Sequence, residues 1–111
     1  MATISFDDFE KVEIRAGRIA RVEDFPKARK SAYKLWIDFG ELGIKQSSAQ
    51  ITTLYSKEQL IGRLIVAVTN FAPKQIADFR SEVLVLGVEL ETHDVVLLQP
   101  DREVPLGRLI S

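Results

Sequence analysis

Lys34 and Trp36 stand two residues apart in the run Lys34-Leu-Trp-Ile-Asp-Phe39. In an extended chain that spacing puts a cation and the only Trp on one face, opposite Leu35, Ile37 and Phe39. A flat aromatic beside a cation suits stacking of an unpaired base with contact to its phosphate. It equally suits packing of Trp36 between two copies of the chain. Gln46, Ser47 and Ser48 form an uncharged polar block where a strand could have been apolar. Such a block supplies donors and acceptors for base edges or for a peptide backbone, or is simply a solvated strand. Asn70 opens a polar segment that carries Lys74 and closes on Arg80-Ser81. Asn70 is either a ligand-facing amide or a turn residue capping its own backbone. Lys45, Lys74 and Arg80 are phosphate partners or idle surface charges. Phe71 and Phe79 flank the segment as core or as an exposed apolar floor. The candidate set for RNA or peptide is therefore Lys34, Trp36, Lys45, Gln46, Ser48, Asn70, Lys74, Arg80 and Ser81.

Catalytic chemistry finds little to use. The 111 residues contain no Cys and one His, His93. Disulfides, thiolate zinc sites, cysteine nucleophiles and paired-His metal sites are thereby excluded. His93-Asp94 falls in an expected hairpin turn with no nucleophile beside it. No cofactor loop, metal cluster or paired-carboxylate site is visible, so the sequence predicts a binding protein with no cofactor and no enzymatic activity. The longest apolar runs, such as Leu64–Val68, fall far short of the ~20 residues of a membrane helix. The acidic N-terminus lacks the basic region of a signal peptide. A cytoplasmic protein without membrane insertion is expected.

Charge is unevenly placed. The net value is -1, with 15 Lys and Arg against 16 Asp and Glu. Residues 11–34 nevertheless hold eight bases against Glu13, Glu23 and Asp24, a local +5. Residues 82–111 hold Arg102 and Arg108 against six acids, a local -4. A neutral chain binds an anion through one patch because charges beyond about 8–10 Å are screened.

The elements that must position these residues are mostly strands. Ser5 precedes Phe6-Asp-Asp-Phe9 as a helix cap with acids at the positive helix end. From Val12 apolar and polar residues alternate, and the register slips after Gly17, which predicts a bulge or bend there. Residues 24–32 form a polar loop, and Leu35, Ile37 and Phe39 mark a second strand. Gly40-Glu-Leu-Gly43 is a hairpin connection to a third strand, Ile44 to Gln50. Ser56 caps a short helix that ends at Gly62. Leu64–Val68 is a fourth strand, 70–81 a loop, and 83–90 a fifth strand continuing past Gly87. Val95–Leu98 pairs back on it as an extra hairpin.

A helix between strands three and four is the order of an OB-fold. The expectation is an all-β fold of small helical content: one domain, residues 1–111, forming a five-stranded barrel with an extra C-terminal hairpin. Residues 64–68, 83–86 and 95–98 are apolar on both faces, although a barrel has one interior. One helix cannot cover them all, so a homodimer is expected to bury the late strands.

The blocks Asp8-Phe-Glu-Lys-Val-Glu-Ile-Arg-Ala-Gly17, Lys34–Gly40, Ile44–Ile51, Val68–Phe71, Phe79–Gly87 and Val95–Asp101, followed by Val104-Pro105, come in order over nearly the whole chain. Together they resemble the tRNA-binding domain family, and within it the CsaA subgroup. Ser81-Glu-Val-Leu84 stands where the wider family more often has Ser-Glu-Gly-Met, which fits that subgroup. The resemblance implies an OB-fold homodimer whose partners are tRNA, unfolded or export-bound polypeptides, or both. Asp78 stands where the pattern usually has Gly, and its charge opposes an anion site. Ala72 replaces a usual Pro, which implies a less stiff loop. Leu106-Gly107 replaces the usual turn near the end.

Overall fold

A computed structural model describes residues 1–111. Ser5 caps α1 (Phe6–Glu10): its hydroxyl accepts from Asp8 N while the Asp8 carboxylate accepts from Ser5 N. The same reciprocal box, Ser56 with Gln59, starts α2 (Lys57–Leu60). These caps satisfy end donors that such short helices leave open.

Five strands build a nearly closed barrel, and OB topology is the result. They are β1 (Ile14–Asp24), β2 (Tyr33–Asp38), β3 (Ile44–Ala49), β4 (Leu64–Val68) and, after the short strands β5 (Lys74–Ile76) and β6 (Phe79–Ser81), β7 (Leu84–Val85). The order is β3-β2-β1-β4-β7, all antiparallel. β1 serves both halves of the barrel: Ile14–Arg18 pairs with β4 and Arg18–Asp24 with β2. The bulge lies between Ile19 and Arg21, not at Gly17. It lets Ile19 and Val22 both face inward although their numbers differ in parity. Ile19, Leu35, Ile37, Phe39, Leu60 and Ile65 form the centre of the core. α2 places Leu60 there.

Two other expectations are corrected. Residues 70–81 are not a plain loop, because β5 and β6 form a hairpin with Ala77 at φ 52 in its turn. The hairpin is held by a second small core, Phe25, Ala32 and Phe79, with Trp36 and Ile76 against it. The fifth strand also does not run unbroken to Leu90. Leu86 N still donates to Val66 O of β4, while Leu86 O accepts from Leu98 N. Beyond it β8 (Gly87–Glu89) leaves the barrel and pairs with β9 (Val95–Leu97).

The C-terminal segment covers what the strand pattern left open. Gly107 N donates to Ala16 O, Ala16 N to Arg108 O and Ile110 N to Ile14 O, so the segment pairs with the first half of β1. Val66 of β4 shares a cleft with Leu98, Val104 and Leu109. Part of the apolar outer face is thus covered by the chain itself, while Leu84, Val88, Val96 and Leu98 stay exposed. The Leu106-Gly107 turn has a steric explanation. Gly107 has φ +89 and a Cβ there would lie 2.4 Å from Phe39 O. No helix is long and apolar enough to cross a membrane.

Candidate nucleic-acid interface

The outer face of β2 and β3 carries two rows of side chains. Register pairs Arg21 with Trp36 and Trp36 with Gln46; it pairs Glu23 with Lys34 and Lys34 with Ser48. Side chains two apart share a face, so these rows stand side by side. The β1–β2 loop and the β5–β6 hairpin rise at one edge and meet each other, with Lys27 Nζ 3.3 Å from Asp78 Oδ2.

Trp36 is half-buried in this face. Its indole N–H donates to Gln46 Oε1 at 3.1 Å. The Arg21 guanidinium lies 4.5 Å from the ring centroid, and Phe79 meets the ring edge-on at 5.6 Å. Those contacts occupy one ring face and the only polar atom, so Trp36 is built into the platform instead of standing open above it. Lys34 Nζ sits 5.0 Å from the Phe25 ring and 5.4 Å from that of Phe79.

β3 is stitched to the next segment largely by side chains. Gln46 N donates to Glu82 Oε1 at 2.9 Å, Ser48 N to Ser81 Oγ at 3.1 Å and Gln46 Nε2 to Arg80 O at 2.9 Å. Glu82 N returns a bond to Gln46 O at 2.8 Å. Gln46 and Ser81 therefore close the barrel as well as facing outward. Beside this seam runs a groove of about 490 Å³, lined by Ser48, by Phe71, Ala72, Lys74 and Ile76, and by Ser81–Leu84. Phe71 is 57% exposed in it, whereas Phe79 is buried at 5%. The two Phe alternatives thus resolve one each way.

Lys34, Trp36, Gln46, Ser48, Lys74 and Ser81 come together on this side of the barrel, while Arg80, paired with Gln75, stands on the β5–β6 hairpin with the opposite parity to Phe79 and Ser81. Two further candidates do not join them. Lys45 has the inward parity of buried Ser47 and lines a separate cleft with Glu13 and Thr69. Both amide atoms of Asn70 are spent on the chain entering β1: Oδ1 accepts from Glu13 N at 3.0 Å, and Nδ2 donates to Lys11 O at 2.7 Å. Asn70 does cap backbone, but backbone distant in sequence. Glu82 is the groove residue that the sequence reading passed over; its charge opposes an anion site, and only the seam reveals its position.

The charges of this side do not cancel. Glu23 is paired with Arg21, Asp24 with Lys57 and Asp78 with Lys27. The hydrogen bond from Lys27 holds the Asp78 carboxyl below its usual range, against the opposite push of partial burial. Arg29, Lys30, Lys34, Lys74 and Arg80 make no ion pair at all. Of these cations Lys74 lines the groove, whose own acid, Glu82, is held by Gln46 N, while Lys34 stands on β2, Arg29 and Lys30 in the β1–β2 loop and Arg80 on the β5–β6 hairpin. That arrangement attracts a polyanion with splayed flat groups.

Comparison with known proteins agrees in kind. A family model described as "Putative tRNA binding domain" matches residues 14–109. A methionine–tRNA ligase of Thermococcus onnurineus is 36% identical over 107 residues, 96% of this chain. The chain spans only 14% of that ligase. The crystal structure of the chaperone CsaA from Bacillus anthracis is similar with a TM-score of 0.94 and 56% identity, over 99% of this chain and 100% of that one. That of a CsaA chaperone protein from Picrophilus torridus gives 0.90 and 52%, over 98% and 100%.

Proposed function

The chain belongs to the tRNA-binding domain family, and from that premise we propose a cytoplasmic, non-catalytic homodimer that holds tRNA on the outer face of β2 and β3 and on the β5–β6 hairpin. The observation that carries this reading is the charge pattern. Glu23, Asp24 and Asp78 are ion-paired, while Lys34 on the face and Lys74 in the groove make no ion pair, and neither do Arg29 and Lys30 of the adjoining β1–β2 loop or Arg80 of the hairpin. Ser48 and Ser81 offer hydroxyls beside them; Trp36 and Gln46 hold the platform flat. Exposed Leu84, Val88, Val96 and Leu98 give a second copy an apolar surface to cover.

A polypeptide ligand is the second reading, favoured by the apolar share of the groove and by the chaperone relatives. Unfolded or export-bound chains would dock through apolar contacts, with little salt dependence. The test is binding of labelled bulk tRNA across a salt series, with an unfolded polypeptide as competitor and sedimentation to fix the oligomer. Salt-steep tRNA binding by a dimer, weakened by Lys34→Ala and by Arg80→Ala, is the expected result. Absence of tRNA binding at low salt, with salt-insensitive polypeptide binding, would transfer the groove to polypeptides.

A further inference from the structure

We propose that the groove beside the β3 seam is a base-reading subsite that takes one unstacked guanine of a single-stranded RNA segment. The proposal rests on the RNA reading above and names what that site selects. It starts from the aromatics. Phe25 and Phe79 are buried, and Trp36 carries Arg21 on one face, which leaves Phe71 as the open ring of this side. A base that leaves its stack needs such a ring.

The polar atoms near Phe71 then choose among bases. An ionised carboxylate such as that of Glu82 only accepts, with two oxygens and about four lone-pair sites. Gln46 N uses one of those sites. The remainder match two adjacent donors, and guanine alone among the four bases offers a ring N–H beside an exocyclic amino group. Uracil flanks its N–H with two carbonyls, which a carboxylate repels. Adenine and cytosine offer one amino donor next to a ring acceptor. The Ser48 hydroxyl makes no hydrogen bond within the chain and is free to donate to the guanine carbonyl. Lys74 lines the same groove without an ion-pair partner, in reach of the attached phosphate. The cavity of about 490 Å³ holds a purine with space for its sugar.

The test measures binding of fluorescently labelled pentanucleotides UUGUU, UUIUU, UUAUU, UUCUU and UUUUU, with bulk tRNA in parallel. UUGUU is expected to bind roughly tenfold tighter than UUUUU, the discrimination of one good bidentate contact. Inosine, lacking the amino group, is expected to fall between them. Glu82→Gln keeps an acceptor for Gln46 N and is expected to shrink the guanine preference to within about twofold, at the cost of one bidentate contact. Phe71→Leu keeps apolar volume but loses the ring, and should weaken all three purine pentamers. Circular dichroism establishes that each variant is folded. Equal affinity for all five pentamers, or no binding of any, while tRNA still binds with steep salt dependence, overturns the subsite and leaves the RNA reading intact. No tRNA binding overturns both. Polypeptide binding that Phe71→Leu and Glu82→Gln abolish, without discrimination among pentamers, reassigns the groove to polypeptide side chains.

Discussion

Replacing Asp78 by Asn tests the charge argument directly. Asp78 neutralises Lys27 across the junction of the β1–β2 loop and the β5–β6 hairpin. Its removal adds Lys27 to the five free cations Arg29, Lys30, Lys34, Lys74 and Arg80. Each phosphate contact contributes about 0.7–0.9 to the slope of log K against log salt. If all five cations meet phosphates, the wild-type slope is roughly -3.5 to -4.5, and a fourfold rise in salt weakens binding about 100- to 500-fold. Asp78→Asn should steepen the slope by ~0.7–0.9, and Lys74→Ala should flatten it by the same ~0.7–0.9. Fluorescence anisotropy with bulk tRNA over a salt series reads both. The pH dependence fixes the sign of the ion pair. Lys27 depresses the Asp78 pKa, so the pair stabilises the fold above the unfolded value of 3.8 and is lost as pH falls through the folded value. Near neutral pH the wild-type acid is ionised, and the two proteins should differ there by a constant amount. Equal slopes for wild type, Asp78→Asn and Lys74→Ala would refute the placing of phosphate on this face.

Three further outcomes follow from packing. Trp36→Ala should cost roughly 2–4 kcal/mol of stability, somewhat below the ~3–5 of a fully buried ring, because it removes contacts to Arg21, Phe79 and Gln46 together; thermal unfolding measures it, and Trp36→Phe should recover part of the loss. Asn70→Ala should lower stability by about 1–2 kcal/mol through its two lost backbone bonds, with tRNA affinity unchanged in the folded variant. Gly17→Ala should destabilise by about 1–3 kcal/mol, since a Cβ would lie 2.7 Å from both Ile37 Cγ2 and Phe39 Cε1; denaturant unfolding checks it.

The strands, the order that puts a helix before β4, both helix caps and the pairing of Lys34 with Trp36 on one face were legible in the sequence. Alternation and capping act through near neighbours, so a linear chain displays them. What depended on distant segments was hidden. The β5–β6 hairpin has no alternating pattern and exists because Phe79 and Ile76 find Phe25, Ala32 and Trp36. Trp36 changes from an open platform to a packed one for the same reason. Asn70 is spent on residues 57 and 59 positions away, and Lys45 turns from its polar neighbours by strand parity. Glu82 enters the groove only because the barrel closes through its side chain. Residue type and spacing determined which chemistry the chain could carry. Closure of the barrel decided which of those groups are consumed as structure and which face a ligand, because one donor or acceptor cannot serve both in full.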